Sequence, residues 1–389
     1  MQFHALSLAQ AGGDVDLVGL EGTAVHPAVA SEPRITQHRL ADGSFASRAG
    51  GGVRRFVVLS AFRVIAQAWP LYRKLSRLPQ PDVILVQNPP AMPTLAVAWL
   101  VSRRRGARLI IDWHNLSHTI AAVRLGETHR AVRALARSER RWARRADGHL
   151  TVSKALAEWL LREYGARAMV LYDRPLRSFD QPDAAKARGL WAKLAAQGVL
   201  PDAHVPLVVC PTSWTPDEDF DLLLEALERA ERRLAGGPRL SLVLTGRGAL
   251  RETFEARLSK RRLSAITVRT VWLEPEDYPV LIGMADLGLC LHQSSSGLDL
   301  PMKLADFRGP GVPVAAYDYA PVLSEVLTNG NEGLTFKDPG QLANLLVALA
   351  NGAAEPGGPV ARSRQWIDAH PAVRWEDQWR DVAAALFHP

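Results

Sequence analysis

The stretch Trp272–Ala316 decides the fold of this 389-residue chain, and it reads WLEPEDYPVLIGMADLGLCLHQSSSGLDLPMKLADFRGPGVPVAA. Pro279 to Ala285 predicts a helix, and Asp286 to His292 is an apolar run short enough for a buried parallel strand. A polar loop from Gln293 to Asp299 then precedes a short helix. Val312 to Ala316 predicts the next strand. This alternation of strand and helix is typical of the α/β class with a doubly wound parallel sheet.

The loop between that strand and the short helix is a candidate ligand site. In a doubly wound sheet it lies at the carboxyl edge, where ligands bind. Its serine hydroxyls, its backbone N–H groups and the following helix N-terminus suit a diphosphate. Lys303 adds a point charge, and Asp299 can accept hydrogen bonds from sugar or ribose hydroxyls. An ordinary loop with a capping aspartate is the alternative. The candidate residues for binding such a ligand are Ser294, Ser295, Ser296, Gly297, Asp299, Lys303 and Asp306.

The segment WLEPEDYPVLIGMADLGLCLHQSSSGLDLPMK resembles the donor-binding segment of the chitobiosyldiphosphodolichol β-mannosyltransferases. Five other segments resemble the same family in the same order. They are MQFHALSLA at the start, QNPPAMPTLAVAW at 87–99, IDWHN at 111–115, TSWTPDEDF at 212–220 and TGRGALRE at 245–252. The resemblance implies a GT-B glycosyltransferase, with two Rossmann-like doubly wound domains facing a cleft. Such an enzyme moves mannose from GDP-mannose onto lipid-diphosphate-linked chitobiose in a β-1,4 linkage, a step of N-glycan precursor assembly.

Two alternatives stay open beside that function. The same GT-B fold could use another nucleotide-sugar with a bacterial polyprenyl-linked or soluble acceptor. The chain could instead be an inactive GT-B-like binding or scaffold protein.

The sequence also bears on the mechanism. No Asp-x-Asp metal motif lies at a suitable strand end, so we expect a reaction that needs no metal or other cofactor. Basic side chains and backbone N–H groups would then stabilise the departing diphosphate. Arg247 follows the predicted strand Ser241 to Thr245 and could act with Lys303, although a surface arginine is the alternative. Many retaining GT-B enzymes carry two glutamates separated by seven residues. Here Asp299 and Asp306 are separated by six, which favours an inverting enzyme.

An inverting transfer needs a base that takes the proton of the acceptor hydroxyl. The candidates are Asp112 and His114, at the carboxyl end of a predicted strand in the first domain. Asp112 ionises at neutral pH without help, and the intrinsic pKa of histidine, about 6.5, suits proton transfer. The choice between them stays open, since Asp112 could be a capping residue and His114 a sugar ligand. Gln87 and Asn88, after the neighbouring strand, are candidate acceptor or sugar contacts.

Length and composition predict two domains in a globular enzyme, with 47% hydrophobic and 22% charged residues. We expect a first domain at 1–178, an acceptor-binding and membrane-facing one. A linker at 179–206, a nucleotide-sugar-binding domain at 207–364 and an amphipathic helix at 365–389 follow. In GT-B folds that last helix crosses back to the first domain. Cys210 and Cys290 lie in apolar runs and are expected to be buried thiols rather than a disulfide.

The start of the chain departs from the usual order of a doubly wound domain. Such a domain begins with a strand and a glycine-rich turn, whereas residues 2–11 already predict a helix. We therefore expect the first strand of the N-terminal domain to be missing. Its loss would leave a gap at the sheet centre with two unpaired edges, which the apolar run Val57 to Ala61 could fill. Relatives in the resembled family have a strand and a glycine-containing loop here, and a membrane anchor can precede them.

Charge is uneven along the chain. Residues 1–178 hold 26 Lys and Arg against 13 Asp and Glu, and the remainder holds 21 against 27. Residues 129–149 predict a helix with an arginine stripe, and 56–78 predict a more apolar helix that is basic at its end. Both could bind an anionic bilayer, although a solvated arginine face is an equal alternative. We expect membrane association facing the cytosol, at the endoplasmic reticulum or a bacterial inner membrane. No transmembrane segment and no nucleic-acid motif is found.

Overall fold

The structure is a computed structural model. The residues that it describes are 1–22, 25–41, 66–177, 179–201, 205–234, 236–353 and 357–387. The chain divides into two compact units. The first comprises Met1–Tyr172 and Glu376–Pro389, and the second comprises Asp173–Trp375.

The first unit contains two parallel sheets. Strands β1 (Val15–Leu20) and β2 (Ile35–Leu40) pair with each other. The other four strands form a sheet in the order β3-β4-β5-β6. They are β3 (Val83–Asn88), β4 (Arg108–Trp113), β5 (Gly148–Thr151) and β6 (Met169–Val170). Within the described ranges, β1 and β2 pair with no strand of the larger sheet. The run Val57 to Ala61 lies outside the described residues.

Strand β4 lies between β3 and β5 in the larger sheet, and the middle of its sequence, RLIIDW, is apolar. Leu109, Ile110 and Ile111 are completely buried, as expected of a parallel strand covered on both faces. Its register places Asp112 directly opposite Gln87 of β3. The carboxyl ends of β3 and β4 therefore bring the candidate residues of the first domain to one edge.

Helices cover the first unit's strands or connect them, and a further helical segment occupies residues 66–75. The other helices are α1 (Gln2–Gln10), α2 (Pro27–Ala30), α3 (Thr94–Arg105), α4 (Ser117–Leu125), α5 (Arg130–Ala143) and α6 (Lys154–Tyr164). The expected arginine helix is α5. The expected apolar helix at 56–78 is described only from residue 66 onward. Among the described residues, no helix combines the length and hydrophobicity that crossing a bilayer requires.

The second unit is built on a six-stranded parallel sheet in the order β12-β11-β10-β7-β8-β9. The strands are β7 (Leu207–Pro211), β8 (Leu240–Thr245), β9 (Ile266–Val271), β10 (Leu287–Cys290), β11 (Val314–Tyr317) and β12 (Gly333–Phe336). The chain runs from β7 outward through β8 to β9 and then returns to the other side of β7 with β10. The strand order therefore reverses between β7 and β10. This confirms the α/β class with a parallel sheet.

Both faces of this sheet are buried, so its strands are nearly continuous apolar runs. Val208 and Leu242 lie in one core, whereas their neighbours Val209 and Val243 lie in the other. The helices are α7 (Ala184–Ala196), α8 (Phe220–Glu231), α9 (Arg251–Leu258), α10 (Asp277–Met284), α11 (Lys303–Arg308), α12 (Pro339–Ala348) and α13 (Pro359–Ala369). Short helical turns at Pro321–Glu325 and Leu349–Ala353 complete the unit. The two cysteines are free and buried, as expected.

Two segments differ from the simple expectation. Helix α7, expected in a linker, buries Leu190 and Leu194 in a core of the second unit, so that segment is part of a folded body. The tail is not one continuous helix, because α13 ends at Ala369 and Pro371 has no N–H for a helical bond. Helical structure resumes at α14 (Trp375–Gln378) and continues as single turns at Trp379–Ala383 and Ala384–Leu386.

Candidate functional site

The loops that follow β7 and β10 lie side by side at the carboxyl edge of the second unit's sheet. Glu218 and His292 form an isolated antiparallel bridge, and the N–H of Gln293 donates to the carbonyl of Asp217 over 2.7 Å. The strand order reverses between β7 and β10, and ligands of open α/β sheets bind at such a point. The serine loop predicted from the sequence therefore forms this edge together with the loop that follows β7.

The serine loop is closed by its own hydrogen bonds. The hydroxyl of Ser294 accepts from the backbone N–H groups of Gly297 (2.8 Å) and Ser296 (3.2 Å) and donates to Asp299. The hydroxyl of Ser296 accepts from the N–H of Leu298 over 3.2 Å. Gly297 has a φ of +69°, a conformation that favours glycine. A ligand that uses these N–H groups would have to replace bonds that the serines already make.

Asp299 points into the protein and joins this loop to His292. Its Oδ2 lies 3.3 Å from Nε2 of His292, and Nδ1 of the same ring lies 3.3 Å from Oδ2 of Asp217. Burial by itself lowers the pKa of His292, but the two carboxylates outweigh it and raise that pKa to about 9. The hydrogen bond from His292 in turn lowers the pKa of Asp217 to about 2. Sequence reasoning missed this partly buried imidazolium, because Asp217 is distant from His292 in the sequence.

Lys303 forms an ion pair with Glu218, which is almost completely buried. The other oxygen of Glu218 accepts from the hydroxyl of Thr212 (2.5 Å) and the N–H of Ser213 (2.9 Å). Burial works against the charge of Lys303, but Glu218 outweighs it and raises the lysine pKa. The cation at the start of α11 is thus held by a carboxylate of the neighbouring loop. Nothing in the sequence indicated that Glu218 would be its partner.

Asp306 lies one turn after Lys303 and accepts a hydrogen bond from the hydroxyl of Tyr278 over 2.7 Å. Burial raises the pKa of Asp306 to about 7, against the opposing effect of that hydrogen bond. This carboxyl group therefore titrates near neutral pH.

Arg247 lies on a loop that packs tightly against the segment after β7. A Cβ at Gly246 would lie 1.7 Å from the carbonyl oxygen of Thr212, and one at Gly248 would lie 2.0 Å from that of Ser213, so only glycine fits. The Arg247 guanidinium lies 4.0 Å from the ring centre of Trp272, which is 45% exposed. In the part of the chain that the structure describes, it has no carboxylate partner. It is an exposed cation at the carboxyl edge, open to an anion.

In the first unit, Asp112 lies between two histidines. Its Oδ2 lies 2.8 Å from Nε2 of His114 and 3.3 Å from Nε2 of His4. Burial alone would raise the pKa of Asp112, but His114 and then His4 hold it well below its usual range. Asp112 is 2% exposed, whereas the side chain of His114 is 22% exposed. The buried carboxylate therefore lies within hydrogen-bond distance of Nε2 of both rings.

Asn88 is completely buried and organises the loop after β4. Its Nδ2 donates to the carbonyl of Asn115 (3.0 Å) and to Oε1 of Glu139 (2.9 Å), and its Oδ1 accepts from the hydroxyl of Ser117. Gln87, the other expected sugar contact, is half-buried. Asn88 therefore has a structural task that sequence reasoning did not anticipate.

Glu139 creates a second carboxylate–imidazole pair in this unit. The carboxylate is completely buried within α5, and its Oε2 lies 2.6 Å from Nδ1 of His118. The side chain of His118 is 17% exposed and stacks on Trp159. Sequence reasoning missed this pair because α5 stood out for its arginines.

A basic and apolar surface lies on α4 and α5, which pack against each other. Helix α4 buries none of its residues and exposes Ile120 (47%) and Val123 (70%). Five arginines of α5 are exposed: Arg130, Arg133, Arg137, Arg140 and Arg141. We call the set of these seven residues the α4–α5 surface. Among the described residues, no group of three or more His, Cys, Asp or Glu side chains is arranged to hold a metal ion.

Comparison with known sequences gives consistent matches. The family described as Glycosyl transferase 4-like domain matches residues 5–172. The mouse chitobiosyldiphosphodolichol β-mannosyltransferase is 35% identical over 99% of this chain and 86% of its own length. The human protein of the same name is 34% identical over 99% and 89%. The Arabidopsis thaliana protein named UDP-glycosyltransferase TURAN is 35% identical over 99% and 93%.

Solved structures agree on the fold. The Anabaena protein HepE, in complex with UDP and glucose, matches 98% of this chain and 94% of its own, with a TM-score of 0.67 and 16% identity. The sucrose-phosphate synthase of Thermosynechococcus elongatus matches 97% and 89%, with a TM-score of 0.64 and 17% identity. These likenesses confirm the GT-B fold, and the sequence matches confirm the resemblance and the prediction of a glycosyltransferase.

Proposed function

Since the chain belongs to the chitobiosyldiphosphodolichol β-mannosyltransferase family, we propose that it moves mannose from GDP-mannose to a lipid-diphosphate-linked chitobiose with inversion at the anomeric carbon. The observation that carries the inverting mechanism is the Asp112–His114 pair at the carboxyl end of β4. An inverting enzyme needs one base, and a partly exposed imidazole oriented by a buried carboxylate is well suited to that task.

In the proposed reaction His114 is the base and Asp112 orients it. Nδ1 of His114 takes the proton of the acceptor hydroxyl while that oxygen forms the new bond to the anomeric carbon. The bond between the anomeric carbon and the diphosphate oxygen breaks on the opposite face, and the nucleoside diphosphate leaves with its electron pair. Asp112 keeps its charge and stabilises the imidazolium that forms, because its pKa lies well below neutrality.

The second unit would stabilise the leaving group. Arg247 is exposed at the carboxyl edge, and Lys303 is charged at the start of α11. Preorganised cations favour the state in which negative charge develops on the diphosphate. We propose that the Lys303 ammonium group contacts a bound diphosphate and Glu218 at the same time. The ion pair with Glu218 then holds the ammonium group in position before the diphosphate binds. Asp299 would act indirectly by fixing the serine loop and His292 rather than by touching the sugar.

The nucleotide is the part of this function that needs its own test, because the names of similar proteins include UDP. We expect GDP to raise the melting temperature of the protein, and UDP to leave it nearly unchanged, since the serine-loop segment resembles that of GDP-mannose enzymes. Thermal unfolding with each nucleotide at equal concentration measures this. Equal shifts would remove the guanine assignment and favour the alternative in which another nucleotide-sugar is the donor.

We also propose that the α4–α5 surface binds the anionic membrane that carries the acceptor lipid, on its cytosolic side. Exposed aliphatic side chains beside arginines suit the boundary between head groups and acyl chains. Replacing Arg133 and Arg137 by Glu should reduce co-sedimentation with vesicles that contain phosphatidylserine. The control is the same double replacement at Arg229 and Arg232 in the second unit. Unchanged sedimentation of the first variant would contradict the proposal.

A further inference from the structure

The tail of the chain reaches the Asp112 cluster through a buried hydrogen bond. The indole Nε1 of Trp379 lies 3.1 Å from Nδ1 of His4. Both side chains are almost completely buried, at 4% and 3% exposure. The two residues are 375 positions apart in the sequence, so the contact exists only in the folded unit.

This hydrogen bond determines where the proton of His4 lies. An indole N–H can donate but cannot accept, so Nδ1 of His4 must be the acceptor and must carry the lone pair. The proton of the neutral ring is then on Nε2, the atom that lies 3.3 Å from Oδ2 of Asp112. While the indole bond is in place, His4 is a neutral donor to Asp112 and cannot become an imidazolium.

We propose that Trp379 and His4 are positioning residues for the proposed sugar transfer. They keep the negative charge of Asp112 available to stabilise a protonated His114. This inference rests on the proposed function and adds to it a role for the carboxyl-terminal tail. Oδ2 of Asp112 contacts two imidazoles, and only one of them, His114, is partly exposed.

The physical reason lies in competition for one carboxylate. His114 and His4 are the charged or titratable groups that act on Asp112. If His4 took up a second proton, its positive charge would neutralise Asp112, and the imidazolium formed at His114 during transfer would lose its stabilisation. The indole N–H of Trp379 prevents this, since a protonated Nδ1 would meet another donor. The tail therefore keeps the His4 ring from taking a second proton, whereas the His114 ring can take one.

The test uses the full chain with Trp379→Phe, which keeps an aromatic ring and removes the N–H. At pH 8 we expect the His4 ring of the variant to keep a single proton. The kcat of the variant should then lie within about threefold of the wild-type value. At pH 6 His4 can be protonated, and kcat should fall about tenfold or more below that of the wild type. The KM values should not change.

Two further variants separate positioning from packing. Trp375→Phe removes an N–H from an equally buried tryptophan of the same tail and should not add a loss at acidic pH. His4→Gln in the Trp379→Phe background should restore the activity lost at pH 6, because an amide can donate to Asp112 but cannot titrate. If Trp379→Phe has the wild-type pH profile, or if Trp375→Phe shows the same acidic loss, the inference is wrong.

A measurement without turnover keeps this inference distinct from the proposed function. In nitrogen-15 spectra of the histidine side chains, His4 of the wild type should stay neutral with its proton on Nε2 from pH 5.5 to 8. In Trp379→Phe the same ring should titrate. A His4 that titrates equally in both proteins would overturn the inference whatever the enzyme transfers. A fixed His4 in a protein without mannosyltransferase activity would instead contradict only the proposed function.

Discussion

The two units use the same two residue types in opposite proportions. In the first unit one carboxylate, Asp112, lies between two imidazoles, and in the second one imidazole, His292, lies between two carboxylates. Two carboxylates keep His292 protonated, with a pKa of about 9. One carboxylate shared by two imidazoles has a pKa well below its usual range, and we propose that one of these rings is the base. The number of carboxylates per imidazole, rather than the presence of histidine, decides whether a site supplies a positive charge or transfers a proton.

The largest effect should come from the base in the first unit. His114→Gln should lower kcat by about 10² to 10⁴-fold with little change in KM, because loss of general base catalysis has that magnitude. The matched control is His118→Gln, which changes the other carboxylate–imidazole pair of the same unit. Steady-state kinetics with GDP-mannose and a lipid-linked chitobiose measure both. A larger loss for His118→Gln would move the base to the Glu139 pair.

The next effect concerns the cations of the second unit. Lys303→Ala and Arg247→Ala should each lower turnover by roughly a hundredfold or more, comparable to the loss of one oxyanion-stabilising donor. Lys337→Ala removes an exposed lysine that pairs with Asp318 at the surface, and should have no such effect. If both cation variants keep near-normal turnover, the diphosphate is bound by other groups.

A smaller effect concerns the stability of the protein, and it should distinguish His292 from the histidines of the first unit. Since its folded pKa is raised above the unfolded value of about 6.5, its stabilisation is complete below pH 6.5 and is lost as the pH rises toward 9. The difference in unfolding free energy between the wild type and His292→Gln should therefore shrink by up to about 3 kcal/mol over that interval. Denaturant unfolding at several pH values measures this.

The control for that series is His370→Gln, because His370 is an exposed histidine. The pH dependence that counts is the one seen for His292→Gln and not for this control. A constant difference for His292→Gln would show that the two carboxylates do not hold a proton on His292, and the contrast between the units would fail.

Local sequence predicted the elements well where short-range patterns control them. The apolar run before the serines became β10, and the short helix expected after the serine loop became α11. The positions of Asp112, His114 and Gln87 at one sheet edge also followed from strand pairing. These features depend on hydrophobic periodicity and on the rule that parallel strands end together.

The hydrogen-bond and ion-pair partners of the site residues could not be predicted from the sequence, because they depend on contacts between distant residues. Asp299 was expected to face the sugar, yet its carboxylate is engaged by Ser294 and His292. Lys303 is held by Glu218, 85 residues away. His4 of α1 meets Asp112 of β4 across 108 positions of the sequence. No pattern along the chain encodes such pairs, and each of them alters the charge that a site residue presents.

The most direct test of the central claim is the anomeric configuration of the product. Purified protein is incubated with GDP-[1-¹³C]mannose and a lipid-diphosphate-linked chitobiose, and the coupling at the labelled anomeric carbon is read by NMR. We predict a single mannose in β linkage, formed by the wild type and lost in His114→Gln. An α-linked product, or transfer only from a UDP-sugar, would contradict the account.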